Sequence, residues 1–321
     1  MTSSMPVITS AAAYDSPARV HDPERGSLRV GLVQHRWRAD PAELVDVLTG
    51  AIGQAADGGA KIVFLPELTL SRYPADTLPT GVASDIAEDL MTGPTFAFAT
   101  AAAARHEVLV HASLYQKADA ADGLGLNTAF VVNPAGELVA RTHKLHIPVT
   151  EGYYEDKFFR PGPANPESYA VHRFSDLGDV GVGLPTCWDE WFPEVARIYA
   201  LGGADLLAYP TAIGSEPGHP AFDTQPLWQQ VIVGHAISNG VFIAVPNRIG
   251  HEGLVEFYGS SFIVDPYGRI LAQAPRDTEA VLLADLDLDM RRDWLDLFPF
   301  LRTRRPETYG ALSVPVAGIA Q

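Results

Sequence analysis

A chain of 321 residues with 47% hydrophobic and 19% charged side chains can bury one large α/β core or two medium ones. No apolar run approaches the ~20 residues that span a bilayer. With 23 basic and 39 acidic side chains the formal net charge is −16, which speaks against nucleic acid or an anionic membrane as partner. A single cysteine excludes an internal disulfide framework and points to a reducing, cytoplasmic setting.

Residues 1–27 are rich in Ser, Ala and Pro, without periodicity and without the basic start and apolar core of a signal peptide. They are expected to form a flexible arm. Regular patterns begin at Leu28: a strand to Gln34, a helix over Pro41–Ala56 ended by Gly58 and Gly59, and an apolar strand over Lys61–Leu65. This βαβ opening implies a covered parallel sheet. Glu67 follows that strand, at the carboxyl end where open α/β folds place their chemistry. Residues 71–93, irregular and interrupted by Pro74 and Pro79, suggest a lid or rim.

The next predicted elements are a helix over Pro94–Arg105 and strands over Val108–Leu114 and Thr128–Val132. A hairpin turns at Asn133–Gly136 (AFVVNPAGELVAR), and the same pattern recurs over Ser261–Gln273 (SFIVDPYGRILAQ). This internal echo suggests two halves of related build. Lys144 lies just past the first hairpin. Further strands are predicted over Asp205–Tyr209, Val241–Pro246 and Ala280–Asp285, with a helix over Gln225–Asn239. No linker divides residues 28–321, which are read as a single domain with a basic and aromatic tail from about Arg291.

The chain is organised around Gly178–Gly203, where a strand through Val180, Val182 and Leu184 meets a helix predicted over Glu190–Leu201. Cys187 stands between them. There the helix dipole and free N–H groups are expected to favour a thiolate and to hold an oxyanion. A nucleophilic cysteine needs a base and a cationic or N–H donor for the oxyanion, and Glu67 and Lys144 are of those types. A metal site from His143, His146 and Cys187 is the rival enzyme reading, although a His-x-x-His spacing serves neither one helical face nor one strand face. A non-catalytic amide-binding protein is the other.

The segments FLPEL around Glu67, RTHKLHIP around Lys144 and TCWDEWFPE around Cys187 resemble the nitrilase superfamily of carbon–nitrogen hydrolases. With YPTAIGSEP, GHA and NRIG they are most similar to N-carbamoylputrescine amidases within it. The resemblance implies a four-layer αββα sandwich and homo-oligomers whose tails cross to the partner. Cys187 would be the nucleophile and Glu67 the base, while Lys144 and the Trp188 N–H would hold the oxyanion and Glu155 would orient Lys144. Trp188, Glu190, Trp191 and Thr211 would contact a small amide or ureido substrate. No cofactor or metal is implied. The expected substrate is an N-carbamoyl amine, with N-carbamoyl amino acids or aliphatic amides as alternatives. Asp189, Glu190 and Glu216 would make the pocket acidic, and Arg72 or Arg248 would be the anchors for a carboxylate.

Overall fold

A computed structural model describes residues 4–10 and 14–315. In chain order the first half contains β1 (Val7–Thr9), β2 (Ser27–Gln34), α1 (Pro41–Asp57), β3 (Ile62–Phe64), α2 (Pro94–His106), β4 (Leu109–Gln116), β5 (Leu126–Val132) and β6 (Leu138–His143). The second half contains β7 (His172–Arg173), β8 (Gly181–Gly183), α3 (Pro193–Leu201), β9 (Leu206–Ala208), α4 (Gln225–Asn239) and β10 (Phe242–Val245). There follow β11 (Ile249–Glu252), β12 (Val255–Tyr258), β13 (Phe262–Val264), β14 (Ile270–Gln273), β15 (Ala280–Asp287) and α5 (Met290–Leu297).

The helices start and stop where their sequences dictate. Asp40 caps α1 by accepting a hydrogen bond from the Ala42 N–H at 2.9 Å, Pro41 opens the first turn, and Gly58 ends it. The buried stripe of α1 includes Leu44, Leu48 and Ile52, each at most 1% exposed and each stabilising by about 2 kcal/mol. Gly240, at φ +60°, closes α4 in the left-handed conformation that glycine adopts without strain.

Two sheets stack through a shared core in which Val30, Leu32 and Phe64 meet Val182, Leu206 and Phe242. On the outer face of the first sheet Val33, Val63 and Val110 pack against Leu44, Leu48 and Phe98 of α1 and α2. On the outer face of the second, Leu207 and Ile243 pack against Val195, Tyr199, Trp228 and Ile232 of α3 and α4. The layers are therefore α, β, β, α, the sandwich expected. Alternation along β2 makes this possible, since successive side chains face opposite layers.

The internal echo marks a repeated topology. The orders β2-β3-β4-β5-β6 and β8-β9-β10-β13-β14 are equivalent: three parallel strands, then two antiparallel ones. Each parallel step carries a helix, α1 and α2 in one half, α3 and α4 in the other. In the two edge hairpins the Gly136 N–H donates to Asn133 O and the Gly268 N–H to Asp265 O, both at 2.9 Å. Those glycines sit at φ +81° and +80°.

Two expectations need correction. The described part of residues 1–27 is not a loose arm; residues 1–3 and 11–13 lie outside the described residues. β1 pairs in parallel with β15 at the edge of the first sheet, Arg19 bonds Asp287 and Asp293, and Arg25 forks onto Asp205 at 2.8 and 2.9 Å. A three-residue strand is too short to show a period, and those partners lie far along the chain. The helix after Cys187 also starts later than predicted. Residues Cys187–Trp191 form a 3-10 turn, and α3 begins only at Pro193. The tail from about 291 opens as α5, whose Trp294 indole donates to Ile237 O at 2.9 Å; residues 316–321 lie outside the described residues.

Candidate active site

β3 and β6 run in the same direction, so their carboxyl ends lie at the same end of the first sheet. Pro66 ends the β3 pairing, and the turn behind it is fixed by the Leu68 N–H on Ser113 Oγ (3.2 Å) and the Thr69 N–H on Ser113 O (2.9 Å). Leu68 takes φ +51°, a conformation that costs a non-glycine residue about 1 kcal/mol. This turn holds Glu67 fully buried. Glu67 Oε1 accepts from Asn127 Nδ2 at 2.7 Å and Lys144 Nζ at 2.9 Å, whereas Oε2 has no partner among the described residues.

Lys144 leaves β6 with its N–H on Asn127 O at 2.9 Å. Its buried ammonium bridges Glu67 and Glu155 Oε2, the latter at 2.6 Å. Burial alone would lower the Lys144 pKa, but the Glu155 and Glu67 carboxylates outweigh it and hold the group well above its ordinary value. Glu155, on a 3-10 turn over Glu155–Lys157, also accepts from the Tyr73 hydroxyl at 2.9 Å. Burial pushes its carboxyl up to about 7, against the pull of Lys144.

Cys187 follows β8 at φ +41° and is 5% exposed. Its N–H is spent on Pro210 O at 3.0 Å, while the Trp188 N–H has no partner among the described residues. Here the structure overturns the thiolate expectation. Burial, then the Glu67 carboxylate, push the thiol well above its ordinary value, and Lys144 only partly opposes them. With α3 starting at Pro193, its dipole does not act at Cys187.

Cys187, Glu155, Trp188 and Trp191 line a cavity of about 360 Å³ that also takes in Glu216 and His219. A larger cleft of about 540 Å³, bounded by Arg36, Glu256 and Arg276, contains none of Glu67, Lys144, Glu155 and Cys187. Two expected contact residues fall behind the wall. Glu190 is fully buried, taking the Trp228 indole N–H at 2.7 Å and the Thr211 hydroxyl at 3.3 Å, so neither Glu190 nor Thr211 reaches the cavity. Asp189 turns inward as well, accepting from the Thr186 N–H and the His146 N–H at 3.0 Å each. Arg72 pairs with Asp76 and buried Arg248 with Glu252, so neither faces the cavity as an anchor.

His143 bonds Thr128 and His146 bonds Asp189, so they do not converge with Cys187. Among the described residues no group of three His, Cys, Asp or Glu could hold a metal ion, and no helix is long and apolar enough to cross a membrane. Sequence reasoning missed Asn127 and Tyr73. Asn127 lies one residue before the strand expected over Thr128–Val132 and was detectable only as an amide at the start of that run, where a buried polar group needs a partner. Tyr73 carries no comparable signal in its irregular segment.

The sequence model of the carbon–nitrogen hydrolase family matches residues 29–296. A citrullinase from Francisella tularensis is 35% identical over 291 residues, covering 88% of this chain and 97% of that protein. An N-carbamoylputrescine amidase from Arabidopsis thaliana is 37% identical over 227 residues, 68% of this chain and 73% of that one. The crystal structure of a carbon–nitrogen hydrolase from Helicobacter pylori superposes with a TM-score of 0.79 at 31% identity, covering 90% of this chain and 99% of that chain. The chain belongs to the carbon–nitrogen hydrolase family and is an amide-hydrolysing enzyme of the nitrilase superfamily.

Proposed function

We propose that the enzyme hydrolyses an N-carbamoyl amine, with Cys187 as nucleophile and Glu67 as general base. The observation that carries this reading is the buried Glu67–Lys144–Glu155 cluster beside the cysteine's cavity. A neutral thiol cannot attack without losing its proton, and the unpartnered Glu67 Oε2 is free to take it. Sγ bonds to the ureido carbon, and the carbonyl oxygen becomes an oxyanion held by Lys144 Nζ and the Trp188 N–H. Glu67 returns the proton to the departing terminal nitrogen, and ammonia leaves a thioester of Cys187 that still carries the amine, an S-(N-alkylcarbamoyl) enzyme. Water, deprotonated by Glu67, then cleaves that thioester; Sγ regains a proton and the carbamate product decomposes to carbon dioxide and an amine. Glu155 keeps the ammonium of Lys144 aimed at the oxyanion.

The substrate's far end follows from charge. Glu216 lines the cavity, no Lys or Arg does among the described residues, and buried Lys144 behind Glu155 is already paired with Glu67 and Glu155, so an ammonium at the far end is paired and a carboxylate is not. An unpaired buried charge costs several kcal/mol. The second reading, a ureido amino acid, is supported by the 35% identity to a citrullinase. His219 is then the cavity-lining group that would donate a ring N–H to the carboxylate. The test is kcat/KM for N-carbamoylputrescine against citrulline and N-carbamoyl-β-alanine. A preference for N-carbamoylputrescine that falls at least tenfold in Glu216→Gln is expected; a preference for either carboxylate substrate would overturn the assignment. The lone cysteine and acidic balance support a cytoplasmic enzyme, and the exposed Leu297, Phe298 and Leu312 along the tail support homo-oligomers.

A further inference from the structure

We propose that Tyr73, seated by the buried Arg248–Glu252 pair, is a positioning residue that orients Glu155 and through it Lys144. This rests on the proposed function above. Tyr73 is fully buried, and its hydroxyl donates to Glu155 Oε1 at 2.9 Å. Its ring is held edge-on by Phe257 at 5.7 Å and by Tyr153 at 5.9 Å between centroids. Burial pushes the phenol well above its ordinary value, so it stays a donor at any working pH.

The seat of Tyr73 is built from the residue that the sequence suggested as a carboxylate anchor. Arg248 is fully buried and ion-paired to Glu252 at 3.2 Å. Glu252 Oε2 accepts the Tyr73 N–H at 2.7 Å. The same guanidinium donates to Leu68 O at 3.3 Å and Ser71 O at 2.9 Å. Those carbonyls belong to the turn leaving Glu67. One buried arginine therefore braces the segment that carries Glu67 at its start and Tyr73 at its end, and each delivers an oxygen to the Lys144 cluster. A buried ion pair is a costly way to fix a loop, and an apolar pair of the same size would fill the space. Its hydrogen bonds to Leu68, Ser71 and Tyr73 are what an apolar pair could not supply.

The groups facing Glu155 are Lys144, Glu67 and Tyr73, with Tyr153 and Cys187 at longer range. Tyr73→Phe removes one bond to the ionised carboxylate and leaves the ring packing in place. Losing that bond favours the protonated form, so the acid limb of kcat/KM should move to higher pH by half a unit or more. The rate should also fall about tenfold, mainly in kcat. In a Glu155→Gln background the same substitution should shift nothing.

The experiment is a pH series on wild type, Tyr73→Phe, Glu155→Gln and the double variant, with thermal melts and Cys187→Ala as a control. An unmoved acid limb and a rate within twofold of wild type would overturn the positioning role. So would an equal shift in the Glu155→Gln background. Activity surviving in Cys187→Ala would instead overturn the functional reading on which this rests.

Discussion

Glu67→Gln separates proton transfer from architecture. The glutamine oxygen can take the place of Oε1 and keep both donors, Asn127 Nδ2 at 2.7 Å and Lys144 Nζ at 2.9 Å. Its amide nitrogen then fills the place of Oε2, which has no partner to lose. The fold should hold, and Lys144 keeps its charge through Glu155 at 2.6 Å. The chemistry should not survive, because an amide cannot accept the proton of a thiol whose pKa is pushed up by burial. A positioned base contributes about a hundred- to ten-thousandfold, or about 3–5 kcal/mol of barrier. A secondary effect runs the other way. Removing the Glu67 carboxylate relieves one of the charges that raise the thiol, so the residual rate of the variant should climb with pH more steeply than that of wild type. The assay is ammonia release from saturating N-carbamoylputrescine between pH 6 and 10, paired with thermal melts. A normally melting variant with kcat within tenfold of wild type would refute the assignment of Glu67 as base.

Cys187→Ala should lose several orders of magnitude in kcat and fail to accumulate the S-(N-alkylcarbamoyl) adduct in intact mass spectra; a tenth of wild-type activity, about 1.4 kcal/mol of barrier, would sink covalent catalysis. Because burial pushes Glu155 up to about 7, kcat/KM should fall as pH drops through that value, and Glu155→Gln should lower the plateau and abolish this limb; a limb unchanged in Glu155→Gln would assign it to another group. Deleting residues 1–25 should lower the melting temperature by several degrees, since it strips β1 from β15 and leaves buried Asp205 and Asp293 without Arg25 and Arg19; an unchanged melt would show that these contacts contribute nothing. Burial holds His35 and His111 down at about 4 and about 3, so both side chains are neutral in the folded and the unfolded state above the ordinary value of 6.5. Below it the unfolded chain alone takes up protons, and each histidine costs about 1.4 kcal/mol of stability per pH unit. His111, whose ring nitrogens have no partner among the described residues, can be tested as His111→Leu: urea melts at pH 6.5 and 4.5 should show the variant losing about 2.3 kcal/mol less than wild type, and equal losses would discard the argument.

What the sequence made legible and what it hid divide along physical lines. Apolar periodicity is a local property, so α1, α2, α4 and the core strands were placed to within a few residues. The hairpin echo was a sound guide to the two-half topology because a turn needing glycine at positive φ leaves its residue behind. The arm escaped because its stabilisation is long-range: Arg19 and Arg25 find partners through the fold, and a three-residue strand has no period to show. The cluster residues Glu67, Lys144 and Glu155 could be named from their segments. Their surroundings could not, since whether an acid such as Glu190 faces a cavity or a tryptophan indole is decided by side-chain packing. The thiolate expectation failed for a related reason. A cysteine's pKa depends on burial and on the carboxylates beside it, and the sequence reveals neither.

The neutral thiol is the more coherent design for this cluster. A buried ammonium touching two carboxylates already carries surplus negative charge whenever both acids are ionised, and a resident thiolate would add to it without water to screen the repulsion. Keeping the proton on sulfur until a substrate carbonyl is in place avoids that state. In the proposed step the proton passes to Glu67, the negative charge leaving that carboxylate reappears on the carbonyl oxygen, and the ammonium of Lys144 would stay opposite it throughout. Glu155, pushed up to about 7, limits how much negative charge the empty site must hold at neutral pH. The strained backbone at Leu68 and Cys187 lies at the ends of strands from different sheets, so the proposed base and nucleophile are brought to one site only in the folded sandwich.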